Sequence, residues 1–240
     1  MNDNLKKKEE LLECEKLWVF AVMIAVGGFF GAYTYILKGG VFCNAQTANF
    51  VLMAVQIGKG NFKKALYYLL PASAYLLGTV ISEFLPKRVN RLKVMRWDTA
   101  FVAFEMLWVF ALGFVPDNAP PQICQVAVNF IASMQFNTFR QAKKMPMATT
   151  FCTNHVRQVG VYLVRYVRKG SREARNRMLS HLLMIASFIA GGISAAFLSG
   201  FLGGKTIWCA ELLLAVVFFA LLRADLGSEH DKLDVVPHGH

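Results

Sequence analysis

The sequence predicts an all-α protein, an integral membrane bundle of six transmembrane helices. Of its side chains, 55% are hydrophobic. Residues 17–37 carry no charge, and residues 206–222 carry only Glu211. Apolar runs of about 17 to 25 residues match the hydrocarbon core of a bilayer. The Lys and Arg residues also concentrate in alternate loops, as expected of cytoplasmic loops in membrane proteins.

The six predicted helices are separated by turn signals or basic loops. They are expected at about 17–37, 65–85, 99–114, 123–139, 178–200 and 206–222. The Lys38-Gly39-Gly40 sequence ends the first helix, and the proline-rich segment 115–121 is the clearest turn. Together they form one transmembrane domain at 17–223. A cytoplasmic head at 1–16, with a short helix, and a polar, disordered tail at 224–240 are expected to flank it.

Two short apolar pieces, 46–57 and 148–164, determine the predicted topology. The first is too short to cross a bilayer unaided, and the second is interrupted by His155 and Arg157. If both are re-entrant or interfacial and the N-terminus is inside, the cytoplasmic segments hold 21 Lys and Arg and the outer segments 5. If both pieces cross instead, the split falls to 15 against 10. The positive-inside rule therefore favours six crossings, with both termini cytoplasmic.

The apolar pieces also divide into two sets that match in order, about 17–115 and 121–223. Each set has a long helix, a short piece headed by threonine, a glycine-containing helix and a helix that starts with threonine. Three crossings per set is an odd number, so the second repeat is predicted to be inverted relative to the first. Inverted repeats with short or broken helices are common in transporters and some channels.

The two short pieces and the helix before the second carry polar residues in a shared order. Thr47 and Asn49 lie in the first copy, and the second copy has Gln135 and Arg140 followed by Thr149, Thr150 and Thr153. This pattern resembles the YoaK-like family of uncharacterised membrane proteins over residues 17–223. The sequence departs from the family pattern at Ala48 and Asn154, where glycine is expected, and at His155. The resemblance implies a six-helix protein of the bacterial inner membrane and supplies no activity.

Polar side chains in an apolar chain are candidates for a substrate site. The candidates are Thr47, Asn49, Gln135, Asn137, Arg140, Thr149, Thr150, Thr153 and His155. If the short pieces are half-helices that converge at the midplane, their N-termini present positive dipole ends to an anionic or polar solute. The alternative is that Thr47 and Thr153 only cap their helices. For Arg140 the alternative to a role in the site is that its side chain extends to the membrane interface.

Two acidic residues occupy matching positions in the repeats. Glu105 follows Thr99 and Glu211 follows Thr206 by five or six residues. A buried carboxyl group favours its protonated form, so these residues are candidates for proton coupling. The alternative is a carboxyl group near the interface that bonds to a neighbouring hydroxyl. A third acid, Glu83, is expected to pair with the basic loop 87–96.

Composition and missing motifs exclude several functions. The net charge of +11 is explained by positive cytoplasmic loops, and no module for binding nucleic acid is recognisable. The five cysteines lack paired spacing, so neither a metal site nor a disulfide is predicted. No nucleophile or phosphate-binding motif indicates an enzyme or a cofactor.

The predicted function is a permease or channel for a small polar or anionic solute. The alternative is a non-transporting accessory or regulatory protein, which binds a partner or anionic lipid through its basic cytoplasmic loops.

Overall fold

The computed structural model describes residues 11–235 and 237 and is mostly helical. The helices are α1 Leu17–Leu37, α2 Gln46–Gly58, α3 Phe62–Tyr67, α4 Leu69–Phe84, α5 Pro86–Asn90, α6 Trp97–Leu112, α7 Pro121–Thr138, α8 Thr153–Lys169, α9 Arg172–Leu202 and α10 Ala210–Leu226. Short 3-10 segments lie at Glu13–Glu15, Gly203–Cys209 and His230–Lys232. Three helical stretches are long and apolar enough to cross a membrane: Leu17–Leu37, Phe62–Asn90 and Arg172–Leu226. The third contains both α9 and α10.

Several predicted pieces have different bounds in the structure. The piece expected at 148–164 is helical at Thr153–Lys169, and the helix expected at 206–222 lies at Ala210–Leu226. The piece expected at 65–85 is divided into α3 and α4 at Tyr68. Pro71 explains the break, because it has no N–H to donate to the Tyr67 carbonyl one turn earlier. The helix expected at 178–200 instead begins at Arg172, so part of the predicted basic loop is helical. Ser171 caps it by accepting a hydrogen bond from the backbone N–H of Ala174 at 3.3 Å.

The all-α prediction overlooked one small hairpin. Strands β1 (Gln141–Ala142) and β2 (Met145–Pro146) pair antiparallel. Lys143 and Lys144 form the turn between them at φ 49° and 62°. Such positive values at both central residues are those of the turn that joins two-residue hairpins. The backbone N–H of Lys143 donates to the Glu15 carbonyl at 3.0 Å, which ties the hairpin to the N-terminal segment.

Two helix pairs form the closest packing in the bundle, α1 with α9 and α4 with α7. In each pair a glycine allows the two backbones to touch. A Cβ atom at Gly191 of α9 would overlap the carbonyl oxygen of Ala25 in α1. A Cβ atom at Gly78 of α4 would overlap the carbonyl oxygen of Phe130 in α7. Small residues of this kind let membrane helices approach closely.

One end of the bundle, which we call the Arg96 end, is closed by a buried ion cluster. The Arg96 guanidinium is fully buried and lies 3.3 Å from Asp98, 3.1 Å from Asp225 and 2.7 Å from Glu229. The Glu229 carboxylate also accepts the backbone N–H of Glu13 at 2.7 Å. The cluster therefore joins the N-terminal segment, the start of α6 and the residues around the end of α10.

The ion cluster corrects the prediction for both chain ends. Residues 224–240 were expected to be a disordered tail, but α10 continues to Leu226, and Asp225 and Glu229 are buried. The prediction is therefore wrong for residues 224–233. Of the predicted head, residues 1–10 lie outside the described residues, so the helix expected there is not described. Leu12, within the predicted head, belongs to the hydrophobic core.

The opposite end, which we call the Lys38 end, joins the end of α1 to the α6–α7 and α9–α10 connections. The Tyr33 hydroxyl donates to the Gly204 carbonyl at 3.1 Å. The Lys38 ammonium lies 3.8 Å from Asp117, whose carboxylate accepts the backbone N–H of Gly204 at 3.0 Å. These contacts hold the C-terminal end of α1 against the two connections.

Candidate solute site at the centre of the bundle

The segments that precede α2 and α8 meet at Gly27, in the middle of α1. The Asn44 side chain donates to the Gly27 carbonyl at 3.1 Å. From the other segment, the backbone of Thr149 and Thr150 lies against the Cα of Gly27, where any Cβ atom would overlap it. Two chain segments about a hundred residues apart therefore contact the same glycine.

In each short helix a side chain of the first turn closes the preceding loop with a hydrogen bond. This residue is Asn49, the fourth of α2, or His155, the third of α8. The Asn49 amide donates to the Phe42 carbonyl at 3.1 Å. The Nε2 atom of His155 contacts the Ala148 carbonyl at 2.9 Å. Each bond spans seven residues, and both side chains are buried. The two loops thus have the same local construction, with an amide in one and an imidazole in the other.

A network of amide side chains links the first loop to α7. The Gln46 amide donates to Asn129 Oδ1 at 2.6 Å and lies next to Asn49, which donates to Gln46 Oε1 at 3.2 Å. Asn129 in turn donates to the Gln125 carbonyl at 2.7 Å. The Gln125 amide bonds the Lys38 carbonyl at 2.5 Å. These contacts extend a buried polar layer from α2 along α7 towards the Lys38 end.

Gln135 joins α7 to α1 and to the second loop. Its amide donates to the Met23 carbonyl at 2.8 Å and to the Thr149 carbonyl at 3.3 Å. The side chain is fully buried. Among the described residues, Gln135 Oε1, Asn49 Oδ1 and Thr149 Oγ1 are buried without a hydrogen-bond partner. An unpaired buried polar group costs about 1–3 kcal/mol, so these oxygens indicate a place where a ligand can bond.

The threonines at the heads of the short helices do not take the predicted positions. The N-cap residues are Ala45 and Cys152, and neither helix has a side-chain cap. Thr47 and Thr153 lie inside the first turn and are exposed. The capping interpretation is therefore wrong for both, and both hydroxyls lie outside the buried polar layer. Thr150, by contrast, is buried, and its hydroxyl lies against that of Tyr75.

Asn137 and Arg140 lie apart from the central layer. The Asn137 amide donates to Ser82 Oγ at 3.0 Å and to Glu83 at 3.1 Å. Arg140 bonds the Asn137 carbonyl at 2.8 Å and forms an ion pair with Glu83. The carboxylate of Glu83 thus pairs with Arg140, whereas the sequence predicted a partner in the loop 87–96. These residues link the ends of α4 and α7.

His155 and His181 form a buried pair that sequence analysis did not connect. Their Nδ1 atoms are 2.9 Å apart. A carbonyl oxygen can only accept, so the proton of neutral His155 lies on Nε2 and His181 donates from Nδ1. Burial lowers the pKa of His155, and the bond to Ala148 opposes that shift. Tyr162 stacks on His181 with ring centroids 5.8 Å apart, so the pair also joins α8 to α9.

Glu105 and Glu211 approach each other between α6 and α10. Glu105 is fully buried, and neither of its oxygens has a hydrogen-bond partner among the described residues. The two carboxyl groups are near enough to interact electrostatically. The two acids that occupy matching repeat positions therefore lie on neighbouring helices, and neither contacts Gln135 or Thr149 among the described hydrogen bonds.

Sequence reasoning missed several members of the central layer. Asn44 and Gln46 flank the first loop, and Gln125 and His181 lie on helices that looked apolar. The spacing of Gln125, Asn129 and Gln135 along α7 was an available signal for a polar helix face. Within the part of the chain that the structure describes, no three His, Cys, Asp or Glu residues are grouped to hold a metal ion.

Comparison with known proteins places the chain in a family. Neither a curated protein nor a solved structure matches it. One family model, described as a protein of unknown function (DUF1275), matches residues 19–220. That range contains both loops and the polar layer. Because the match covers most of the chain, the protein belongs to the DUF1275 family.

Proposed function

We propose that this protein is a permease or channel of the inner membrane for a small polar solute. The observation that carries the proposal is the meeting of two loops at Gly27, beside buried oxygens of Asn49, Gln135 and Thr149 that lack partners. Half-helices that begin near the middle of a bundle form the binding sites of several transporter folds.

The packing supports an inverted repeat in which α1, α2, α3–α4 and α6 correspond to α7, α8, α9 and α10. If each helix is replaced by its counterpart, the pair α1–α9 becomes the pair α7–α4. These two pairs are the most closely packed helix pairs in the bundle. The contacts of α1 with α10 and of α7 with α6 exchange in the same way. Gly78 and Gly191 also correspond, as do the two loop bonds that span seven residues.

Six crossings are supported by the alternation of the helices between the two ends. The Arg96 end carries the segments rich in Lys and Arg, and the Lys38 end carries few. The positive-inside rule assigns the Arg96 end, with both termini, to the cytoplasm. The α2–α3 hairpin then lies towards the outer side and the α8–α9 hairpin towards the inner side.

The chemistry of the polar layer favours a solute that donates hydrogen bonds. Two of the three unpaired atoms, Asn49 Oδ1 and Gln135 Oε1, can only accept. Thr149 can donate or accept. No Lys or Arg of the described residues contributes a bond to these side chains, so an anion would meet few partners beyond the helix N-termini. A small neutral polyol, amide or similar molecule fits the donors and acceptors better.

Thermal stability of the purified protein, screened with small polar solutes, tests the proposal. A bound solute raises stability by about 2.7 kcal/mol at one hundred times its Kd. We expect Thr149→Val to weaken that solute about 2- to 13-fold, because one net hydrogen bond is worth about 0.5–1.5 kcal/mol. Gln135→Leu should weaken binding by at least as much.

Asn137→Leu is the matched control, because Asn137 lies on the same helix but bonds Ser82 and Glu83. It should lower stability and leave solute affinity unchanged. If solutes stabilise the Gln135→Leu and Thr149→Val proteins as well as the original, the site is elsewhere. If no polar solute stabilises the protein at all, the transport proposal loses its support.

Proton coupling through Glu105 and Glu211 forms part of the same proposal. A carboxyl pair held between α6 and α10 can take up and release a proton as the protein changes conformation. Glu105→Gln should remove the pH dependence of solute uptake into proteoliposomes, since the amide mimics the protonated acid. Glu173→Gln, at an exposed carboxylate on α9, is the control. Equal pH dependence in the original protein and in Glu105→Gln would make Glu105 a structural residue.

A further inference from the structure

One buried side chain anchors α8 to the bundle. Of the 17 residues of this helix, His155 is the one that is buried. The helix packs against α9, and the rest of its surface is exposed or half-buried, with Val156 and Arg157 exposed directly beside the anchor. The bonds of this imidazole therefore contribute strongly to the attachment of α8.

The two bonds of His155 determine where the ring protons lie. Nε2 of His155 lies 2.9 Å from the Ala148 carbonyl oxygen, and its Nδ1 lies 2.9 Å from Nδ1 of His181 on α9. A carbonyl oxygen only accepts, so His155 donates from Nε2 and accepts at Nδ1, and His181 donates from Nδ1. The bond between the two rings therefore requires that one of the facing nitrogens carries no proton.

Added protons are incompatible with this arrangement. One extra proton gives the pair a buried positive charge, and two extra protons place hydrogens on both Nδ1 atoms, which face each other at 2.9 Å. Burying a charge is costly unless it is paired, and two facing donors cannot bond. In water, by contrast, an imidazole takes up a proton at a pKa of about 6.5. A state with the two rings separated therefore holds more protons in acid than the packed state.

The described neighbours of the pair supply no compensating negative charge. On α9 the charged group that acts on His181 is Arg177, which is itself positive. On α8, Tyr162 stacks on His181 with ring centroids 5.8 Å apart and bonds Arg177 at 3.2 Å. Helix α1, which also packs on α9, has no charged residue between Leu17 and Leu37. The loop before α8 presents the Ala148 carbonyl. Protonation of the pair is therefore opposed by its surroundings for as long as α8 stays packed.

The same imidazole is bonded to the loop that reaches the centre of the bundle. Ala148 precedes Thr149, whose carbonyl accepts from the Gln135 amide at 3.3 Å. The backbone of Thr149 and Thr150 packs against Gly27. Protonation keeps the hydrogen on His155 Nε2, and with it the bond to Ala148. Movement of α8 away from α9 is therefore transmitted to this loop.

We infer that the His155–His181 pair is a proton-dependent switch, in which acid releases α8 from α9 and draws the loop 148–150 away from Gly27. Release needs no solute, whereas its consequence for the central site rests on the proposed function. The separated state takes up the protons, so the ratio of released to packed molecules rises as pH falls below about 6.5. The rise is up to tenfold per pH unit for each proton taken up.

The distance between two spin labels measures this release in the absence of solute. Gly160→Cys places one label on α8, where nothing lies within 4 Å of the added Cβ. Phe84→Cys places the other at the end of α4, at a side chain that is 67% exposed. Cys152→Ser and Cys209→Ser remove the two half-buried native thiols, and the other three are buried. We expect a single distance at pH 8 and a second population at pH 5 that disappears on return to pH 8.

His155→Asn with His181→Phe removes both titrating rings. Asparagine occupies the corresponding position of the first loop, where the Asn49 amide donates to a loop carbonyl. Phenylalanine keeps a ring against Tyr162. This double variant should give the same distance at pH 8 and at pH 5, and circular dichroism at both pH values verifies its folding. His181→Phe alone leaves one titrating ring, so it should change the ratio at most about tenfold per pH unit, and it supplies the comparison if the double variant does not fold.

His230→Gln is the matched control. His230 lies 3.3 Å from the Asp225 carbonyl at the Arg96 end, so its loss removes a histidine without touching the pair. This variant should keep the full change in distance between pH 8 and pH 5.

An unchanged distance at pH 5 in the labelled protein would overturn the inference. An equal response in the double variant would do the same, because other groups would then release α8. Loss of the response in the His230→Gln protein would assign the proton uptake to His230 instead. If no solute stabilises the protein, the transport proposal fails, but the expected distances stay the same, so the two failures are distinguishable.

Discussion

Arg96→Met is expected to lower the stability of the protein by about 3–5 kcal/mol, because it leaves buried carboxylates without their cation. Arg96 is fully buried, and Asp98, Asp225 and Glu229 all lie within 3.3 Å of its guanidinium. The Tm of the purified protein should fall by on the order of 10 °C. Arg91→Met, at an exposed position of the same basic segment, should change Tm little.

A second substitution distinguishes the contribution of the Arg96–Asp225 ion pair to stability from other effects of replacing Arg96. Asp225→Asn in the Arg96→Met background removes one of the stranded charges, so the double variant should lose less stability than the sum of the two single losses. Additive losses would show that Arg96 and Asp225 do not stabilise each other. If the Arg96→Met protein were as stable as the Arg91→Met protein, the ion cluster would not contribute to stability.

Gly191→Ala is expected to destabilise the protein by about 1–3 kcal/mol, the usual cost of overpacking a well-packed core. The added Cβ would overlap the Ala25 carbonyl oxygen and separate α1 from α9. Helix propensity alone predicts the opposite, because alanine is about 1 kcal/mol better than glycine inside a helix. Thermal unfolding measures the sign directly.

Gly200→Ala controls for helix propensity, since Gly200 lies on the same helix and nothing approaches its Cβ position. It should leave stability unchanged or raise it. Gly78→Ala, at the α4–α7 contact, should behave like Gly191→Ala. If Gly191→Ala and Gly200→Ala shift Tm equally, the close contact of α1 with α9 does not contribute to stability.

The sequence predicted the features that depend on residues close together along the chain. Run length and charge predicted the long helices and the membrane class, because a bilayer imposes a minimum apolar length. The matching positions of Glu105 and Glu211 followed from repeat order, and their role in proton coupling stays a prediction. Thr47 and Thr153 were misplaced, because a cap depends on where the backbone enters the helix, and that point lies one or two residues earlier.

Contacts between distant residues could not be predicted. Arg96 and Asp225 are 129 residues apart, and the composition around Asp225 resembles a solvated tail. Arg140 was predicted as a solute-site residue or an interfacial cation, but it pairs with Glu83, which lies 57 residues away on α4. The amide layer was predicted only in part, since Gln46 and Asn129 meet through the folded loop and share no sequence motif.

The glycine contacts divide the bundle into two bodies that can move only as units. Gly28 and Gly191 lock α1 to α9, and Gly78 locks α4 to α7, because sliding would drive backbone into backbone. Between these bodies amide side chains of α7 form bonds, Gln135 to the Met23 carbonyl of α1 and Gln125 to the Lys38 carbonyl at its end. Such side chains can exchange partners at small cost. Relative movement of the two pairs would therefore exchange these amide bonds while the backbone contacts within each pair stay intact.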